Sequence, residues 1–492
     1  MKRFRARVNQ NSTRIGLLGL ALVVAVALFL LRSQALNSLG YPLDDAWIHQ
    51  TYARNFAMRG EWAFLPGEVS AGSTSPLWTL ILALGYRLTV PPLVFSYFLG
   101  CCLMLGIVWL IAGQLPSDLR TRPALQTGLL LVVLFEWHLI WAALSGMETL
   151  LLGLHFLVIL RGLERQWDPL ILGGVAGLGI WIRPDAILSI VPIAWVFLFQ
   201  HSTLRESALK AIKYGVGFIL FVFPYLLMNY SLGGEWWPST FYAKQIEYAA
   251  LREFNFLGRL LSMSMVPLIG VGLLLIPGMI VGVIERVRSR RWDRLASFLW
   301  VVAFITIYAV RLPVDYQHGR YMIPVIPVLF LLGYDGLWIT LRGESRSSLI
   351  RILSRSWILS MFLVCFLFWI RGAEAYAKDV AVIETEMVAA SKWIRANTEL
   401  DDLIAAHDIG ALGYFAERRI LDLAGLISPD VIPIIRDESA LELLIDEQGA
   451  DYLMTFPGWY PHLTEGRSII YSTSGSFSPS IGGENMTVYR WP

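Results

Sequence analysis

The chain has 492 residues, 56% of them hydrophobic and only 16% charged, a balance that sets it apart from soluble globular domains and places it among polytopic membrane proteins. The formal net charge of +2 decides little, because in such a chain the placement of charge matters more than its sum. The three cysteines, Cys101, Cys102 and Cys365, lie in apolar stretches, offer neither a disulfide framework nor a metal-ligand spacing, and read as buried packing residues.

From the N-terminus, MKRFRARVNQNSTR is basic and leads into an apolar run from Ile15 to Leu31. This reads as a retained first helix with a cytoplasmic N-terminus: Ser33-Gln34-Ala35 fits a cleavage site only loosely, and the chain returns to the membrane many times. Next comes Tyr41–Trp78, YPLDDAWIHQTYARNFAMRGEWAFLPGEVSAGSTSPLW, with residues 37–75 as the first outer loop. It opens on adjacent carboxylates, Asp44 and Asp45. Such a pair is expensive to place in hydrocarbon, so it is either solvated at the interface or part of a site. Trp47, Tyr52, Trp62 and Trp78 fit a membrane–water boundary, and SAGSTSP supplies hydroxyls and turn formers.

Further apolar segments follow at 92–113, 125–144, 147–160, 169–182, 186–200, 211–230, 257–283, 296–311, 321–341 and 354–370. With the first they give about eleven spans, several shorter than the ~20 residues a crossing needs. Basic connections occur at Arg120/Arg122, Arg161/Arg165, Arg205/Lys210/Lys213, Arg286–Arg294 and Arg342–Arg355. If these are cytoplasmic and Pro76–Leu88 does not cross, the chain alternates consistently, with Tyr41–Trp78 and the C-terminus outside. Glycines at 173, 174, 177 and 179 fall inside an apolar segment and read as close helix packing, not phosphate binding.

After Arg371 the composition becomes that of a soluble domain. The pattern predicts a helix over Val382–Asn397, strands at Leu403–Ala406 and Arg419–Leu423, a helix over Leu441–Gln448, and strands at Asp451–Phe456 and Met486–Trp491. The expectation is a membrane domain over 1–371 and a small α/β domain over 372–492.

The outward connections collect the chemistry. Asp44 and Asp45 as hydrated turn residues are the bland reading; a general base with a neighbour that orients it is the functional one. Two adjacent carboxylates repel, so a cation, metal or donor must tune them. Arg320 and Lys244 are candidate phosphate clamps, against a snorkelling arginine as the plain alternative. His318 and Tyr321 flank Arg320; Glu148 and Arg183 lie beside apolar segments on the same face and are either an ion pair or part of the site. No Walker loop, GxGxxG or HExxH is present, and no basic-aromatic surface suggests nucleic acid.

An Asp-Asp just outside the first helix, in the string DDAWIHQTYARNFAMRGEW…GEVSAGSTSPLW, resembles the GT-C superfamily of polyprenyl-phosphate-sugar glycosyltransferases. The chain is particularly similar to the mycobacterial terminal arabinofuranosyltransferases and to bacterial relatives of the protein mannosyltransferases. SGMET at Ser145–Thr149, RPD at Arg183–Asp185, PSTFYAK at Pro238–Lys244, HGRYMIPVIP at His318–Pro327 and HDIGALGYF…ILDLAGL at His407–Leu426 extend the resemblance over nearly the whole chain. It implies a GT-C fold, Asp44 as catalytic base, and Asp45 as acidic partner or ligand of a divalent metal ion. It also implies a polyprenyl-phosphate sugar donor and a glycan, lipid or protein acceptor at the periplasmic or extracellular face. One departure matters: relatives that transfer aminoarabinose carry a lysine before a Pro-Pro after this loop, where this chain has Ser73-Thr74-Ser75-Pro76. Arg320 and Lys244 are then the expected substitutes. A multi-pass transporter or a non-catalytic envelope-sensing scaffold are the other classes.

Overall fold

The computed structural model describes the backbone of residues 2–199, 203–342 and 348–492, and the side chains of 14–199, 203–342 and 352–492. The basic N-terminal side chains and part of the Arg342–Arg355 connection lie outside that description. Among the described residues, six helices are long and apolar enough to cross a membrane, or up to eight if the bent pairs Pro123–Leu134 with Trp137–Ala143 and Phe256–Leu268 with Gly272–Arg288 each form one span. The remaining apolar helices, Thr149–Glu164, Pro169–Ile182 and Pro184–Phe199, are shorter. Each expected apolar segment maps onto one of these elements. Pro76–Arg87, a helix of 12 residues, is too short to span, since ~1.5 Å per residue falls well short of a ~30 Å hydrocarbon layer.

The long helix Lys2–Leu36 packs against Ser348–Val382, where the Trp369 indole donates to the Ala25 carbonyl at 3.0 Å. Pro169–Ile182 and Leu204–Gly233 touch backbone to backbone. A Cβ at Gly173 would lie 2.1 Å from the Tyr214 carbonyl oxygen, and one at Gly217 would lie 2.1 Å from that of Leu170. Small residues let transmembrane helices approach this closely. Gly173→Val therefore costs roughly 1–3 kcal/mol or more by overpacking. It should lower the thermal unfolding temperature in detergent, and an unchanged temperature would reject this contact. Of the three cysteines Cys365 is buried, Cys101 is half-buried and packs against the main core, and Cys102 is exposed, so the packing role expected of all three does not extend to Cys102.

The stretch read as an outer loop contains a helix of 15 residues. Asp45–Arg59 is closed by Gly60 in the left-handed conformation (φ 74°), and a hairpin follows, β1 (Ala63–Leu65) against β2 (Glu68–Val69). Trp47, Tyr52 and Trp78 are buried, not placed at a boundary. Trp47 lies between Tyr414 and Phe415, each ring centroid 4.7 Å away. The helix is thus a layer between the membrane helices and the C-terminal region.

The C-terminal region forms a five-stranded sheet in the order β4-β3-β5-β7-β6: β3 (Leu403–Ala406), β4 (Arg419–Asp422), β5 (Tyr452–Thr455), β6 (Ser468–Ser472) and β7 (Thr487–Arg490). The parallel core β4-β3-β5 is extended by antiparallel β7 and β6. The helix expected over Val382–Asn397 is the end of one continuous rod: Ser348–Val382, a π-turn at Ile383–Val388, then Ala389–Asn397. The expected boundary at 371/372 falls inside this rod.

Helix direction sets the geometry of the site. Thr149–Glu164 starts at Glu148 and ends at Arg161 and Arg165; Pro169–Ile182 starts from that basic end and finishes at Arg183. Leu204–Gly233 runs from Arg205 towards Trp237, and Ala296–Arg311 from the Arg290 region to Arg311. The basic connections and the polar motifs therefore lie at opposite ends of the same helices.

Candidate active site

Asp45 is the first residue of Asp45–Arg59, where exposed amide N–H groups favour an anion. Its side chain is 27% exposed and meets Arg320 Nη2 at 2.6 Å and Lys244 Nζ at 3.6 Å. Both cations also donate to the Tyr321 hydroxyl, at 3.1 Å from Arg320 and 3.2 Å from Lys244. Burial alone would raise the Asp45 pKa, but the Arg320 guanidinium and the Lys244 ammonium hold it well below the carboxylate range. Lys244 is pushed the other way: burial lowers its pKa, and the Asp45 carboxylate more than offsets this and leaves it raised.

A second cluster stands beside the first. His49, one helical turn after Asp45, approaches Glu148 at 3.4 Å, and Arg183 reaches the other oxygen of Glu148 at 3.5 Å. Arg183 also pairs with Asp185 at 3.2 Å and donates to the Tyr308 hydroxyl at 2.8 Å, while Tyr308 donates to Asp185. Both clusters line one cavity of about 390 Å³. Ser73 and Thr74 of the SAGSTSP run contribute hydroxyls, and Ile187, Leu188, Trp237, Phe241, Ile307 and Leu312 make much of the wall apolar. Four cations, Arg183, Lys244, Arg311 and Arg320, outnumber three carboxylates, Asp45, Glu148 and Asp185. The imbalance suits an anion with a greasy tail. Among the described residues, buried polar atoms without a hydrogen-bond partner on the cavity side chains include the donor Arg320 Nε, the acceptors Glu148 Oε2 and Asp185 Oδ1, and His49 Nδ1.

Of the residues singled out in the sequence, Asp45, Glu148, Arg183, Lys244, Arg320 and Tyr321 line this cavity, whereas Asp44 and His318 do not. The Asp44 carboxylate instead accepts the backbone N–H groups of Gly410 and Ala411, both at 2.7 Å. His318 sits between Trp137 and Trp141 and bonds Asp379 at 2.8 Å. Gln317, His318 and Gly319 have positive φ (51°, 58° and 61°), and this turn sends Arg320 to a different place from His318. His49, Tyr308 and Arg311 were missed. His49 was findable, since a helical reading of Asp45–Arg59 puts position i+4 on the Asp45 face.

A divalent metal on Asp45 does not fit. Its carboxylate already faces two cations, which repel a third, and among the described residues no group of three or more His, Cys, Asp or Glu is disposed to hold a metal ion.

No curated protein matches by sequence. The model of a family described as a domain of unknown function, DUF8728, matches residues 375–489. Among solved structures, the apo form of ArnT from Cupriavidus metallidurans aligns with a TM-score of 0.59 at 13% identity, covering 97% of this chain and 98% of that one. The same protein bound to undecaprenyl phosphate aligns with a TM-score of 0.57 at 12% identity, over 96% and 98% of the two chains. The arabinofuranosyltransferase AftD from Mycobacteria gives a TM-score of 0.45 at 12% identity, over 95% of this chain and 41% of that one. Alignment over both full lengths at such low identity is a likeness of architecture: the chain is a polytopic helical membrane protein with the GT-C fold and a C-terminal sheet domain.

Proposed function

We propose that the chain is a membrane glycosyltransferase that moves a sugar from a polyprenyl-phosphate donor to a cell-envelope glycan, lipid or protein acceptor. The sugar would be a pentose such as arabinofuranose or a hexose such as mannose. The observation that carries this reading is a carboxylate, Asp45, held between Arg320 and Lys244 in a mainly apolar cavity. The structure of ArnT with undecaprenyl phosphate supports a lipid phosphate as the class of ligand.

Asp45 takes the role that the resemblance gives to Asp44, because Asp45 faces the cavity and Asp44 does not. The acceptor hydroxyl attacks the anomeric carbon as its bond to the phosphate oxygen breaks. The electron pair stays on the phosphate, and the hydroxyl proton passes to Asp45. One carboxylate suffices because phosphate leaves without a proton, unlike the alcohol of glycoside hydrolysis. Arg320 and Lys244 stabilise the charge that builds on the departing phosphate. An arriving phosphate draws these two cations from Asp45, and the carboxylate becomes more basic as the donor seats. In-line attack inverts the anomeric centre.

Every residue that lines the cavity comes from 1–371 except Leu426, which the C-terminal region supplies. The cavity and the C-terminal sheet would face the periplasmic or extracellular side of the plasma membrane, a reading supported by the basic connections at the opposite helix ends and the positive-inside rule. A transporter would hold its site midway along broken helices; here the site lies at helix ends. Purified full-length protein, offered a panel of polyprenyl-phosphate pentoses and hexoses, should release lipid phosphate from one class. Failure to bind or turn over any member would reject the reading.

A further inference from the structure

The C-terminal sheet domain grips both halves of the site. On one side Gly410 and Ala411 donate to the two oxygens of Asp44, the residue next to Asp45. The fit leaves no room: a Cβ at Gly410 would lie 2.1 Å from the Asp44 carbonyl oxygen and 2.7 Å from its Oδ2. The same segment continues along the helix, where Arg54 donates to the Tyr414 carbonyl at 2.8 Å and to the Gly413 carbonyl at 3.3 Å. On the other side Asp422, at the end of β4, accepts N–H bonds from Ala424, Leu426 and Ile427 and so fixes the turn after the strand. The Leu426 carbonyl then accepts the Ser239 hydroxyl at 2.5 Å, at the start of the helix Ser239–Glu247 that carries Lys244.

We propose that the C-terminal domain aligns the active site, with Asp44 as the positioning residue through which it sets Asp45 against Lys244 and Arg320. This rests on the glycosyltransferase reading for its kinetic consequences but not for the clamp itself. Asp44 is 8% exposed, and each of its carboxylate oxygens accepts one backbone N–H. Burial first, and the nearby Asp408 carboxyl second, raise the Asp44 pKa above the usual carboxylate range, and the N–H groups of Ala411 and Gly410 pull against them. Asp44 and its two donors lie over 360 positions apart in sequence, so the clamp ties the C-terminal sheet domain to the helix that carries Asp45.

The test uses full-length Asp44→Asn and Gly410→Ala, read by amide hydrogen exchange over residues 407–416 and by steady-state kinetics. The clamp predicts faster exchange of the amides at positions 410 and 411 in both variants. It predicts a fall in kcat of roughly 10–100-fold, the cost of a small misplacement of a catalytic group, with the donor KM little changed and the acidic limb of the pH–rate profile where the wild type has it. Unchanged exchange in Asp44→Asn overturns the clamp. So does full kcat in Gly410→Ala beside an inactive Asp44→Asn, which would return Asp44 to the role of base. If the wild type transfers no sugar, the function fails, while the exchange contrast still decides the clamp.

Discussion

Asp45→Asn retains its fold and its donor and loses transfer by about 10²–10⁴-fold, the contribution of a positioned general base. The asparagine keeps the shape and can still accept from Arg320, which meets the present carboxylate at 2.6 Å. What disappears is the capacity to take a proton. Because Asp45 is held below the ordinary carboxylate range, the wild type should keep this group ionised throughout the mildly acidic region. Turnover within about tenfold of wild type in Asp45→Asn, against the larger loss expected of a base, would remove Asp45 from that role and turn attention to Glu148.

Arg320→Met acts on two properties at once. The guanidinium is buried, with its side chain 8% exposed, and is the nearer of the two cations on Asp45. Truncating one partner of a buried, hydrogen-bonded charge pair typically costs about 2–5 kcal/mol in binding, which is roughly 30-fold or more in affinity. The loss should fall on donor use, because the acceptor brings no phosphate. The pH–rate profile should also shift. With burial unopposed by this cation, the Asp45 pKa rises, so the protonated and inactive form extends to higher pH and the acidic limb moves up. Unaltered donor kinetics with an unmoved limb would reject Arg320 as phosphate clamp and as the tuner of Asp45.

How much of this was legible in the sequence depends on the element. The apolar segments were readable because a span must be apolar along its length, and β3, β4, β5 and β7 because buried strands are short apolar runs between turn formers. The strand Ser468–Ser472 was missed: it lies at the edge of the sheet, none of its residues is buried, and its pattern is correspondingly weak. The helix Asp45–Arg59 was missed for the opposite reason. It is packed on several sides, with ten of its residues buried, among them His49, Gln50, Thr51 and Asn55. Helix burial by polar groups leaves no apolar stripe to detect. The six cavity residues were chosen by chemistry and by sidedness, both of which sequence carries. The division of labour between Asp44 and Asp45 was not, because neighbours at a helix start point about 100° apart. Only the tertiary partners decide which one meets the cavity.

The unbroken rod from Ser348 to Asn397 has a mechanical consequence. Two ordered regions joined by a flexible tether can tumble independently, but a helical strut transmits torque. Any rocking of the last membrane span must be carried into the sheet above it, save where the widened turn at Ile383–Val388 can yield. That single turn is the place where the roof over the cavity can pivot.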